Sequence, residues 1–228
     1  MVWSNSTAML RSRPIVIGTA FIAALLANYW VLEGALADRT DFDGSWISDL
    51  STRSESSGGT FVALGVVAAL ALLLFGVELV AVLGERGKLL RRGALAFLFA
   101  ALATVVAASA PLSCAEGLEA ACSLKEDPLD IVHSLATVGE IGGTILSFGL
   151  LGLGFLRGGR RRFAIATFAF GAIWLVLTIL TGVSYLSDGV DEIKGAFQRI
   201  DQMIFGVWLV VLACAATSTV QEVDSVRR

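Results

Sequence analysis

Asp130, His133, Thr137, Glu140 and Thr144 recur at alternating intervals of three and four residues, so on a helix they share one face. An imidazole and two carboxylates on one stripe are the groups of proton transfer, of metal ligation and of polar head-group binding. Ser48 and Asp49 stand together far upstream, and Arg199 and Asp201 stand close together far downstream. Ser48, Asp49 and His133 have the residue types of a nucleophile, an acid and a base. Arg199 is suited to an anionic head group. The expected ligand-binding set is therefore Ser48, Asp49, Asp130, His133, Glu140, Arg199 and Asp201.

The elements that must position these groups are long and apolar. A hydrocarbon core of about 30 Å needs roughly 20 apolar residues per helix, because every backbone polar group there must be paired within the segment. Six stretches meet that need: Pro14–Ala37, Gly58–Leu83, Gly93–Leu112, Ile131–Leu156, Phe163–Leu186 and Ala196–Ala216. The 56% hydrophobic content and mean hydropathy of +0.78 agree, although the segment lengths carry the argument. The expected fold is all-α, a polytopic membrane protein built as a six-transmembrane-helix bundle, with residues 1–228 as a single integral membrane domain.

Orientation follows from the retention of lysine and arginine in the cytoplasm. Arg11, Arg13, Arg86, Lys88, Arg91, Arg92, Arg157, Arg160, Arg161, Arg162, Arg227 and Arg228 occupy one set of helix ends, with Glu85 as their acid. Arg39, Arg53, Lys125, Lys194 and Arg199 are outnumbered at the other set by acids such as Asp38, Asp49, Glu116, Asp130, Asp188 and Asp201. Both termini are thus expected in the cytoplasm and the chain in the plasma membrane, a polarity that the net charge of −3 conceals. Arg11 and Arg13 before an apolar run, with Ala35-Leu36-Ala37 after it, resemble a secretory signal. The run is longer than a signal core and contains Asn28, Tyr29 and Trp30, so it reads as an uncleaved helix.

Smaller signals refine the picture. Cys114 and Cys122 share the second acidic loop and are expected to form a disulfide there, whereas Cys214 lies in the last span. Pro14, Pro111 and Pro128 all fall at helix boundaries. No span is broken by proline, and Gly142-Gly143 is the place to look for a glycine break. Gly58-Gly59-Thr60 with Gly65 echoes Gly142-Gly143-Thr144 with Gly149, which reads as close helix packing before it reads as duplication.

Polar groups gather at the acidic end of the bundle: Asn28 and Glu33, Thr178, Thr181 and Tyr185, and Gln198 to Gln202. Glu140 lies roughly 15 Å along its helix from Asp130, near the bilayer middle. A carboxylate there is expected to be neutral unless a cation or water reaches it. Glu78, in the other half, is expected to snorkel toward Arg86, Lys88 or Arg92. The inference is a polar extracytoplasmic recess above a plain, tightly packed cytoplasmic half.

Ile47-Ser48-Asp49-Leu50, the loop running into Asp130 and His133, and a last helix opening with Gly195, Gln198 and Arg199 ahead of Trp208 resemble the six-helix prokaryotic membrane family catalogued as domain of unknown function 998. The resemblance spans nearly the whole chain. It implies an exterior cluster in which Ser48, Asp49, His133 and Arg199 stand at matching positions, with Asp49 and Gln198 where the family more often has glutamate. It brings no agreed activity.

Three readings of the cluster follow. In the structural one, Arg199 pairs with Asp49 or Asp201, His133 bonds Asp130 or Ser48, and the network fastens the outer loops. In the binding one, Arg199 holds an anionic head while Trp30, Phe205 and Trp208 accommodate the tail of a lipid or other amphiphile. In the enzymatic one, Ser48 and His133 form an intramembrane hydrolase; this is the weakest, because Ser48 lacks a glycine-framed elbow. Membrane lipids are the expected partners, with a membrane-protein partner, a scaffold role in a complex or a second copy left open; nucleic acid is not expected. No cofactor and no metal are expected: His133 is the only histidine, no lysine lies within a span and no Walker-type loop is present.

Overall fold

The computed structural model describes residues 13–37, 45–115, 127–185 and 193–226, and the side chains among these except at 184–185 and 219–226. Its helices are α1 (Arg13–Ala27), a 3₁₀ turn (Tyr29–Leu32) running into α2 (Glu33–Leu36), a second 3₁₀ turn (Ile47–Ser51), α3 (Gly58–Leu83), α4 (Lys88–Ser109), α5 (Pro128–Arg157), α6 (Arg161–Tyr185) and α7 (Lys194–Val226). No strand occurs among the described residues. The chain is thus an all-α polytopic bundle: α3 to α7 are each long and apolar enough to cross a membrane, and the α1–α2 pair makes a sixth span if it crosses as one.

Local chemistry sets most boundaries. Asp127 caps α5 by accepting from Leu129 N at 2.8 Å, with Pro128 at the first helical position where a missing N–H costs nothing. α5 ends in a Schellman turn: Gly159, at φ 75°, donates to Leu156 O, and Arg160 N donates to Phe155 O at 2.8 Å. Arg160 then reaches Ala215 O and Ser218 Oγ, tying this turn to α7. α4 starts at Lys88, earlier than the apolar window, because its basic residues continue the helix beyond the apolar run.

One expectation needs correction. The first span is not a continuous helix over Pro14–Ala37; it breaks at Asn28 and bends by 48°. The Asn28 amide donates to Ala24 O at 2.8 Å while its Oδ1 accepts from the Trp30 indole at 3.1 Å, so the side chain competes with the backbone ladder. Gly206 on α7 gives it room, since a Cβ there would stand 3.0 Å from Asn28 Nδ2. Gly142 and Gly143 lie inside an unbroken α5. The glycine echo is not matched in contacts either: Gly65 faces Tyr29 and Ala108, whereas Gly149 has open space.

The spans close a ring in which α1 packs on α3, α3 on α4, α4 on α5, α5 on α6, α6 on α7, and α7 back on α1. Aromatic side chains fill its middle. Trp208 is fully buried, 4.1 Å by ring centroid from Phe148 and 6.0 Å from Phe97, and Phe75 meets Phe97 edge-on at 5.6 Å. α4 packs tightly on α5, where Gly93 leaves no room for a side chain: a Cβ would lie 2.7 Å from Leu151 Cγ and 2.9 Å from its backbone N. Gly154 meets Leu90 in the same manner one turn away. Gly93→Ala is therefore expected to lower stability by about 1–3 kcal/mol through overpacking, read as a reduced melting temperature of the purified protein, whereas Gly142→Ala, with nothing within 4 Å of its Cβ, melts with the wild type.

Candidate functional site

At the acidic end the ring is not filled. A cavity of about 620 Å³ opens there, walled by α3, α4, α5, α6 and α7, with Tyr29 and the 3₁₀ turn of Ile47–Ser51 at its rim. Along α3 its lining runs from Phe61 to Leu72, a depth of roughly 16 Å at 1.5 Å per residue. Phe61, Val62, Leu72, Ile141, Trp174 and Phe205 supply apolar wall; Thr104, His133, Thr137, Glu140, Thr178, Gln198, Asp201 and Gln202 supply polar wall.

The rim is held by one buried ion pair. Arg199 on α7 places Nη2 2.6 Å from Glu33 Oε2, with Glu33 fully buried and Arg199 4% exposed. Its Nη1 donates to Ser45 O at 2.8 Å, and the guanidinium lies 5.9 Å from the Trp30 ring. Arg199 thus pairs with Glu33, an acid outside its expected partners Asp49 and Asp201. The neighbouring turn is fixed twice more: Trp46 N donates to Asp49 Oδ2 at 2.8 Å, and Ile47 N donates to Gln198 Oε1 at 2.6 Å.

His133 and Asp130 also depart from the expected pairing. His133 Nδ1 lies 3.0 Å from both Ala107 O and Ala110 O, so this nitrogen donates to the end of α4. Neither Asp130 nor Ser48 is its partner at that nitrogen, and the carboxylate that orients a triad histidine is replaced by two carbonyls. Asp130 is fully buried and accepts from Ser113 N at 2.8 Å and Ser113 Oγ at 2.6 Å. Outside the spans, Arg53 pairs with Asp127, and that guanidinium, with the Leu129 amide, holds the Asp127 carboxyl below its ordinary value.

Of the sequence-derived set, Ser48, Asp49, His133, Glu140 and Asp201 line the cavity, whereas Asp130 and Arg199 do not and act in the frame around it. Sequence reasoning missed Thr104, which stands beside Glu140, and the role of Glu33 as the arginine's partner. Glu140 and Asp201 are close enough for their charges to interact, and Thr178 stands beside Asp201. Among the described residues no three His, Cys, Asp or Glu side chains gather as a metal site. Glu78 does not snorkel to the basic end: it is 1% exposed, with Oε1 3.0 Å from the Thr19 hydroxyl. Of the expected Cys114–Cys122 bridge, Cys122 lies outside the described residues.

A family model described as "Protein of unknown function (DUF998)" matches residues 16–215, so the chain belongs to that family. No curated protein and no solved structure matches it.

Because each partner would be left as a lone buried charge, Glu33→Ala and Arg199→Ala are each expected to destabilise by about 3–5 kcal/mol. The Glu33→Gln/Arg199→Met double variant should lose clearly less than the two alanine losses added together. Unfolding titrations of the purified protein in detergent read the difference, and an Arg199→Ala protein as stable as wild type would remove the ion pair from the frame.

Proposed function

We propose that this member of the DUF998 family is a multi-pass protein of the plasma membrane, both termini cytoplasmic, that binds a lipid or other amphiphile in its extracytoplasmic recess. The cavity carries this reading. Its volume falls within the range of small-molecule sites, and its wall combines apolar surface with a few convergent polar groups, the composition such ligands need. Phe61, Trp174 and Phe205 suit a hydrocarbon portion, while Glu140, Asp201, Gln198 and Gln202 suit a polar one. The orientation rests on the arginine-rich ends opposite the recess.

The head-group chemistry differs from that suggested by residue types alone. Arg199 is engaged by Glu33 and Ser45 and lies outside the lining, so the recess offers acids and amides to its occupant. An intramembrane hydrolase draws less support, because His133 is oriented by carbonyls at Nδ1. A scaffold role draws on α6, whose outward residues Ile165, Phe168, Ile173, Val176, Ile179 and Val183 are exposed, a face that acyl chains cover equally well.

Gly182 provides the test, since it lines the recess and a Cβ there meets nothing within 4 Å. Gly182→Phe is expected to place a ring in part of the cavity without disturbing the fold. Mass spectrometry of protein purified from native membranes should find an amphiphile retained by the wild type and reduced roughly tenfold in the variant, a difference of about 1.4 kcal/mol. Equal retention of every species by both proteins would remove the recess as the binding site.

A further inference from the structure

We infer that the recess is built for an amphiphile bearing a protonated primary or secondary amine, with Glu140 and Asp201 as the acidic contacts of its ammonium group. The inference rests on the amphiphile reading above and narrows it to a class of ligand.

Charge supplies the first step. Among the described residues that line the cavity, the acids are Asp49, Glu140 and Asp201, and none is lysine or arginine. Among the described residues the cations at this end are committed elsewhere: Arg199 to Glu33 and Ser45, Arg53 to Asp127, and Lys194, 5% exposed, over the Trp46 ring at 5.5 Å. Asp49 is occupied as well, capping its own turn through Trp46 N. Two carboxyl groups remain, brought from mid-α5 and from the second turn of α7 to the lining of one cavity. Mutual repulsion of such a pair is relieved by a proton or by a cation.

Hydrogen bonding supplies the second step, independently. Asp201 is 7% exposed, and its buried Oδ1 makes no hydrogen bond of good geometry, the Thr178 hydroxyl being the donor that stands beside it. A buried acceptor left without a donor costs on the order of 1–3 kcal/mol, more when charged. An anionic head would worsen the charge and a neutral head would leave it standing. A quaternary ammonium brings charge without an N–H. A primary or secondary ammonium brings a cation and at least two N–H donors in one small group, enough for both carboxyls, and the Tyr29 and Trp174 rings on the lining add aromatic surface that favours it. The apolar wall from Phe61 to Leu72 then takes the hydrocarbon part.

The probes are dodecylamine, dodecyltrimethylammonium, dodecanol and dodecyl sulfate, equal in chain length and different in head. Each is titrated at neutral pH onto the full chain in phosphatidylcholine nanodiscs, with empty nanodiscs subtracted for partitioning. Dodecylamine is expected to bind roughly tenfold or more tightly than dodecanol and than dodecyltrimethylammonium, the scale of a charge-assisted hydrogen bond. Glu140→Gln and Asp201→Asn should each erase most of that advantage, with dodecylamine losing far more affinity than dodecanol. Dodecanol or dodecyl sulfate binding as tightly as dodecylamine in the wild type overturns the amine inference and leaves the amphiphile reading intact. Equal binding of the quaternary probe overturns the requirement for an N–H. Failure of all four probes to bind overturns both readings, and because the wild-type comparison decides by itself, a variant that does not fold leaves the result standing.

Discussion

The buried pairing of Arg199 with Glu33 is the interaction on which the acidic end depends. A charge removed from water costs several kcal/mol unless a partner is held in good geometry, so neither side chain can move without exposing the other. Glu33 lies just past the 48° bend of the first span, and Arg199 lies in the second turn of α7. Their contact therefore sets the direction in which the bent half leaves α1. Through Ser45 and the Trp30 ring it also places the loop that carries Ile47 to Ser51 over the cavity mouth. The recess is open because this frame stands beside it and does not collapse into it.

Much of this architecture is legible in the residues, and the exceptions have physical causes. Spans α3 to α7 could be found from apolar length alone, because the bilayer imposes one length scale and forbids unpaired backbone. The stripe from Asp130 to Thr144 was legible because helical periodicity puts its members on one face, and His133, Thr137 and Glu140 do share the cavity wall. The break at Asn28 was not legible, since the usual markers of a break are proline and glycine, and here a single amide does the work by bonding Ala24 O and the Trp30 indole. Partner choice was the least legible feature. Arg199 had several acids at the same end to choose from, and which one it meets depends on a bend in a helix 166 residues away in sequence.

Composition separates the two halves of the ring. Toward the basic end, glycines such as Gly93 and Gly154 bring α4 and α5 together at backbone distance, and the gain is van der Waals contact, the main source of helix association in lipid. Toward the acidic end, Tyr29, Trp46, Gln198 and Gln202 line the space between the spans and bring hydrogen-bonding side chains to it. Family membership without an assigned activity leaves function to be argued from that space, since a fold alone does not specify one.

The floor of the recess decides what kind of site it is. On α3 the lining ends at Leu72, Phe75 follows as a fully buried core ring, and Glu78 comes only after it; on α7 the lining ends at Phe205 and Trp208 follows. Phe75, Phe97, Phe148 and Trp208 touch one another across the ring. Glu78 with Thr19 is thereby a separate polar island in the opposite half, reached from the recess only through aromatic packing. A through-path would need those rings to part together, and close-packed cores resist that kind of concerted change. For the proposed ligand, the geometry consequently favours a site that receives and holds its occupant from one end of the bundle over one that passes it across.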